Sequence, residues 1–189
     1  DDARAFFATG ERKYDAIISE PSNPWVSGAS SLFTTEFYAQ ISKKLNEGGL
    51  FFQWVQLFEI TPALVGSIYH ALAANFERIV VYQIDATDVV FVAGHQDVPD
   101  PIWSDQAKVN AALVHVDTKS IADINARFIG DERALALFFS ALTPDVNSDY
   151  FPVLEIQGER SLFLGQDATD LLKLARFPAD VHGLFERRR

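Results

Sequence analysis

At 189 residues, 48% hydrophobic and 22% charged, the chain has the composition of an ordinary globular domain with a small appendage, which excludes a disordered segment. A formal charge of −10 argues against a nucleic-acid partner, whose phosphates need a basic surface, and is compatible with a cationic substrate. With no cysteine there is no disulfide, thiolate nucleophile or thiolate metal site, which fits a reducing compartment.

The opening Asp2-Ala3-Arg4-Ala5-Phe6-Phe7 predicts a short helix with both phenylalanines in the core, ended by a turn at Thr9-Gly10-Glu11. Asp15-Ala16-Ile17-Ile18-Ser19 is short, mostly apolar and bounded by turn formers, which predicts a strand covered on both faces. Glu20 sits where that strand runs out. Pro21 and Pro24 forbid a helix and stiffen the loop, so Glu20, Ser22 and Asn23 are expected as a fixed group. Open parallel sheets bind ligands at the carboxyl ends of their strands, which places the expected chemistry between Glu20 and Trp25.

After a small, flexible Ser27-Gly28-Ala29-Ser30-Ser31, Thr34 or Thr35 can cap a helix with Phe37, Ile41 and Leu45 on one face and Tyr38 beside them. Glu36 suits its first turn and Lys43 and Lys44 its last, with Gly48-Gly49 expected to stop it. Residues 50–55 predict a second strand, apolar on both faces, with polar Gln53 near its end. Thr61-Pro62 reads as a helix start, and Leu64, Ile68, Leu72 and Phe76 as its buried stripe. Residues 78–84 and 88–93 are rich in β-branched side chains and flank Asp85-Ala86-Thr87, the pattern of a hairpin. Strand, helix, strand, helix and hairpin in that order predict an α/β sheet with a parallel centre and an antiparallel edge.

Beyond Pro99-Asp100-Pro101 the texture changes, and a boundary is expected there, between residues 1–98 and a mainly helical extension, 99–189. Helices are expected around 106–114, 120–128, 132–142 and 168–174, with an apolar piece at 151–156. His70, His95, His115 and His182 have no mutual metal-ligand spacing, so no metal site is assigned. Trp25 and Trp54 read as core or pocket wall, and Arg187-Arg188-Arg189 as a solvated tail. The longest apolar runs are too short and too polar to span a bilayer, and no signal peptide opens the chain. The absence of methionine leads us to expect a piece of a longer protein, cut at Asp1.

Four features together resemble the second half of the spermidine synthase family of aminopropyltransferases. Asp2-Ala3 matches the family's Asp-Gly or Asp-Ala before a short helix, and Glu20-Pro21-Ser22-Asn23-Pro24 stands where the family has Asp-Ser-Ser-Asp-Pro. Leu32-Phe33-Thr34-Thr35-Glu36-Phe37-Tyr38 matches Leu-Phe-x-x-Glu-Phe-Tyr, and Gly48-Gly49 with Gln53 matches a glycine turn and strand-end glutamine. The resemblance covers roughly residues 2–94, with a looser echo at 147–160. The wording Ser-Glu-Pro-Ser-Asn-Pro-Trp-Val-Ser-Gly is similar to a divergent bacterial branch in which such a domain often follows a multipass membrane region.

The resemblance implies a partial Rossmann-like methyltransferase fold, strands 4 to 7 with a terminal antiparallel hairpin. It implies aminopropyl transfer from decarboxylated S-adenosylmethionine to a small amine, in the cytoplasm or in the cytoplasmic domain of a membrane protein. The glycine-rich loop and ribose-binding acid would then precede Asp1, so this piece alone is not expected to bind the donor. Its first strand would have an open edge, which predicts a homodimer or rearrangement. In these terms Glu20 is the catalytic proton acceptor; Asp2, Ala3, Glu20 and Ser22 face the donor; Asn23 and Gln53 face the amine. Asn23 replaces the family's second carboxylate, which argues against putrescine. Two alternatives keep the fold: methyl transfer from S-adenosylmethionine itself, faintly echoed in Asn23-Pro24-Trp25, and a non-catalytic domain that senses a polyamine or nucleoside or packs on a partner.

Overall fold

A computed structural model describes residues 2–24, 26, 28–99, 109, 118 and 120–176. The Asp2 carboxylate accepts the Arg4 amide and opens helix α1, Ala3–Thr9. Strand β1 is Tyr14–Ser19; after a 3-10 turn at Ala29–Phe33, the Thr34 hydroxyl accepts the Phe37 amide and starts α2, Thr35–Lys43. Strand β2, Leu45–Gln56, is followed by α3, Pro62–Ala73, capped by Thr61 with proline in its first turn. The hairpin β3, Arg78–Gln83, and β4, Asp88–Gly94, comes next. Among the described residues the chain then forms α4, Ile121–Asn125, β5, Phe128–Asp131, α5, Glu132–Leu142, α6, Val153–Phe163, and a 3-10 segment, Thr169–Arg176.

The five strands lie in the order β1-β2-β4-β3-β5, with β1 and β2 parallel and every other neighbouring pair antiparallel. The hairpin therefore folds back so that its second strand, β4, inserts beside β2. One sheet face carries the core: Phe51 and Val55 of β2, Ile79 and Val81 of β3 and Phe91 of β4 pack beneath Phe37, Tyr38 and Ile41 of α2 and Leu64, Ile68 and Leu72 of α3. These contacts explain the helix stripes expected from sequence, since each fully buried Phe, Leu or Ile contributes about 1.5–3 kcal/mol.

The region after 120 joins the same sheet and core. Strand β5 pairs with β3, and Leu135 and Phe139 of α5 are fully buried against α3. Gly66 permits this approach, because a Cβ there would lie 2.9 Å from a Thr143 methyl and 3.1 Å from the Phe139 ring. Tyr69 stacks on Phe139 at 5.1 Å and donates its hydroxyl to the Glu132 carbonyl at 3.0 Å. No described helix is long and apolar enough to cross a membrane.

Several local expectations need correction. β1 is covered on one face only: Ile17 faces the core and is buried, but Ile18, on the opposite face, is 75% exposed. Phe7 packs on Tyr14 and Phe37, whereas Phe6 points outward. Gly48 and Gly49 do not stop α2, which ends at Lys43; they lie inside β2, whose register against β1 shifts between Tyr14↔Leu45 and Ala16↔Leu50. Gly48 has φ 71°, and a Cβ on Gly49 would lie 2.9 Å from the Tyr14 carbonyl, so the irregularity itself requires glycine. The helix expected over 120–128 ends at Asn125 and gives way to β5, too short a strand to show a sequence period. The piece at 151–156 is the start of α6, and 168–174 is 3-10 rather than α. The helix expected at 106–114 and the Arg187–Arg189 tail lie outside the described residues, save residue 109.

Candidate active site at the carboxyl end of the sheet

Glu20 follows the last residue of β1, is exposed, and makes no hydrogen bond or ion pair among the described residues. Ser22 is exposed and Asn23 half-buried; the Asn23 carbonyl accepts the Val26 amide at 2.9 Å, and the Val26 carbonyl accepts the Ala29 amide at 2.9 Å. These bonds with buried Pro24 set the loop as a chain of tight turns, as its prolines predict. Trp25 lies outside the described residues.

Gln53 is fully buried and braces this loop's root. It pairs in register with Ser19, and its Nε2 donates to the Trp54 carbonyl at 3.0 Å and to the Ser19 carbonyl at 3.4 Å. Its Oε1 accepts the Tyr38 hydroxyl at 3.3 Å. Complete burial pushes the Tyr38 phenol well above its ordinary pKa, so it stays a neutral donor. Gln53 thus holds the backbone from which Glu20 projects, a positioning role, with its amide turned into the core and engaged by protein groups.

Asp2 and Ala3 are carried to the same end of the sheet by Arg4. The Arg4 guanidinium donates to the Ser31 carbonyl at 3.2 Å and grips both oxygens of Asp149, one at 2.7 Å. The Asp149 amide donates to Glu36 at 2.9 Å, which ties this pair to the first turn of α2. Asp2 uses Oδ1 to cap α1, and its Oδ2 has no partner among the described residues.

Asn147 was not singled out from sequence, yet it locks the loop. Fully buried, it donates from Nδ2 to the carbonyls of Phe33 at 3.0 Å and Ser30 at 3.4 Å, and its Oδ1 accepts the Leu154 amide at 3.3 Å. Its backbone accepts from Thr35 and donates to Ser67. The signal was the looser family echo at 147–160; the partners, more than 110 residues away, left no local trace. An open cavity of about 500 Å³ lies between Thr61 and Ile156, Gln157, Arg160 and Leu164 of α6 and its C-terminal end.

Two further oxygens were also missed. Gln56, the last residue of β2, is fully buried; its Nε2 donates to the Phe58 carbonyl, but its Oε1 has no partner among the described residues. Its register partner Asp88, half-buried, likewise has an Oδ1 without a partner among the described residues. Burial, with the nearby Asp85 carboxylate, raises the Asp88 pKa above its ordinary value. Of the histidines, His70 contacts the Thr143 carbonyl, and His95 lies between Glu77 and Ser42 at the opposite end of the sheet. His115 and His182 lie outside the described residues, and no group of three metal-binding side chains occurs among those described.

A parallel pair with a helical crossover, followed by a hairpin whose second strand inserts antiparallel beside it, is the second half of a Rossmann-like methyltransferase fold. A probable spermidine synthase from Corynebacterium glutamicum shares this fold, with a TM-score of 0.51 at 17% identity over 79% of this chain and 52% of that one. Residues 1–87 match the spermine/spermidine synthase domain, and over that stretch the chain is spermidine synthase-like. Polyamine aminopropyltransferases are similar to it: 37% identity over 82 residues in Bacillus subtilis, 43% of this chain and 29% of the relative. The Sodalis glossinidius enzyme is 30% identical over 117 residues, 62% and 38%, and that of Korarchaeum cryptofilum 31% over 77, 41% and 24%. The chain therefore spans between 17% and 38% of the length of the curated relatives it matches.

Proposed function

We propose that this chain supplies the acceptor half of an aminopropyltransferase, with residues 1–98 as the reacting half and 99–189 as the brace that fixes its loops. The observation that carries the reading is an exposed carboxylate, Glu20, without a partner among the described residues, at the carboxyl end of a parallel strand within the matched stretch. When bound, decarboxylated S-adenosylmethionine would supply a methylene activated by a sulfonium.

The residues present fit that donor. The free Oδ2 of Asp2 can accept from the adenine amino group, beside the Ala3 backbone, and Ser22 offers an exposed hydroxyl on the same loop as Glu20. Glu20 takes a proton from the ammonium of the acceptor amine, which frees a lone pair to form the new N–C bond as the C–S electrons leave with sulfur. Asn23 orients the amine from the same loop, and Gln53 holds the Ser19 carbonyl so that Glu20 keeps its position. The −10 charge favours approach of a cationic acceptor. We place the reaction in the cytoplasm, a reducing compartment with which a cysteine-free chain is compatible.

The test is mass spectrometry of the thioether product from the full-length protein, given decarboxylated S-adenosylmethionine and an amine. Glu20→Gln should lower turnover by about 10²–10⁴-fold without moving the unfolding midpoint. Product with S-adenosylmethionine instead, as a methylated amine, would favour methyl transfer. Full activity in Glu20→Gln would sink the assignment.

A further inference from the structure

At the other end of the sheet from the Glu20 loop, side chains from three separate elements form one hydrogen-bonded line. β3 and β4 are antiparallel with Arg78 opposite Gly94, so the residues just outside that pair, Glu77 and His95, face each other. Their side chains meet, with His95 Nδ1 2.6 Å from Glu77 Oε2. Gly94 sets this exit from β4, because a Cβ there would lie 3.1 Å from the Leu50 side chain. The last turn of α2 supplies the third member: Ser42 Oγ lies 2.9 Å from His95 Nε2.

The carboxylate decides which imidazole nitrogen carries the proton. Hydrogen bonding to His95 holds the Glu77 carboxyl below its ordinary range, so at neutral pH it is an anion that can only accept. Nδ1 is then the N–H, and Nε2 keeps a lone pair that accepts the Ser42 hydroxyl. Phe76 backs the imidazole at 5.6 Å, and Phe76 is itself buried and stacked on Phe51, so the ring is held on a third side. A hydroxyl, an imidazole in the tautomer that can take its proton, and a carboxylate on the far nitrogen are the parts of an activated nucleophile.

We propose that Ser42, His95 and Glu77 form a second reactive centre, in which Ser42 takes the acyl group of a small activated ester and passes it to water. Ser42 Oγ bonds to the ester carbonyl carbon while its proton moves to His95 Nε2. The tetrahedral adduct collapses, the C–O bond to the leaving alcohol breaks with its electron pair, and His95 returns the proton to that alcohol. Water, deprotonated by the same nitrogen, then releases the carboxylic acid and restores the serine. Glu77 is a positioning residue: it fixes the tautomer and offsets the charge of the imidazolium, as do the free carbonyls at the end of α2. Lys43, next in sequence, is exposed with no partner among the described residues, which leaves its ammonium available to the oxygen that turns negative. Ser42 is half-buried and the other two members are exposed, so the centre opens on solvent and fits compact esters with a good leaving group. It works without the Glu20 loop and does not depend on aminopropyl transfer.

The test treats the full-length protein with a fluorophosphonate, which labels activated serines, and with para-nitrophenyl acetate, and maps the adducts by mass spectrometry. Both should modify Ser42 at least about 100-fold faster than the other serines of the chain, and His95→Gln should slow that reaction by about 10²–10⁴-fold, the worth of general-base assistance. Glu77→Gln should slow it too, with Glu77→Asp restoring part of the rate, a rescue that a contact of no consequence to Ser42 would not give. Adducts confined to lysines, or a Ser42 rate in His95→Gln equal to the parent's, overturn the proposal. Should a variant fail to fold, the parent decides alone: a Ser42 rate no higher than that of its other serines overturns the proposal as well.

Discussion

The amide of Gln53 donates to the carbonyl of Ser19 while its oxygen accepts the hydroxyl of Tyr38, so a helix, a central strand and an edge strand meet on one buried side chain. Tyr38→Phe removes the donor and leaves Gln53 Oε1 unsatisfied where water does not reach. Urea unfolding should show a loss of about 1–3 kcal/mol. A change of a few tenths would mean that Gln53 finds another donor.

Asn147→Ala should be costlier than its size implies. Two carbonyls and one amide lose their side-chain partner inside the fold. The expected loss is about 2–4 kcal/mol by chemical denaturation, with protease cleavage between residues 22 and 31 as the local readout. Cleavage as slow as in the parent protein would show that the loop holds without it.

The Arg4–Asp149 pair makes stability depend on acid. Arg4, hydrogen-bonded to both oxygens, holds the Asp149 carboxyl below its ordinary 3.8, so the folded chain binds that proton less tightly than the unfolded one. Its contribution is complete above the unfolded pKa and is lost as pH falls through the lowered folded value. Asp149→Asn should therefore have a lower melting temperature at neutral pH, and the difference from the parent should narrow below about pH 4. Both side chains are partly exposed, so the effect is modest and salt weakens it. A constant difference across the acid range would contradict the pairing.

The outer edge of β1 has no described neighbour, and Ile18 stands 75% exposed on the open face of this edge strand. Such an edge is a template for another strand. We predict that the 189-residue chain, studied alone, forms a homodimer or larger species through β1, and that Ile18→Lys shifts it toward monomer in sedimentation velocity. A parent protein monomeric at every concentration tested would refute this.

What could be read from sequence was what local chemistry encodes. Thr34, one of two candidates, and Thr61 capped their helices, and the stripe Leu64, Ile68, Leu72 and the hairpin around Asp85 formed as patterned, with Phe76 buried beyond the end of α3. Strand β5 escaped because four residues carry too little pattern, and Gly48-Gly49 misled because a helix stop and a strand irregularity favour the same residue. Glu20 could be placed from its prolines. Asn147 could not, since its role depends on partners that only the folded topology brings near.

The Asn147 anchors have a bearing on how the chain acquires its shape during synthesis. Phe33 and Ser30 leave the ribosome more than 110 residues ahead of the amide that secures them. Contacts so distant in sequence form late, so the nascent sheet should emerge with the Glu20 loop unfastened, a window in which chaperones or proteases can reach it.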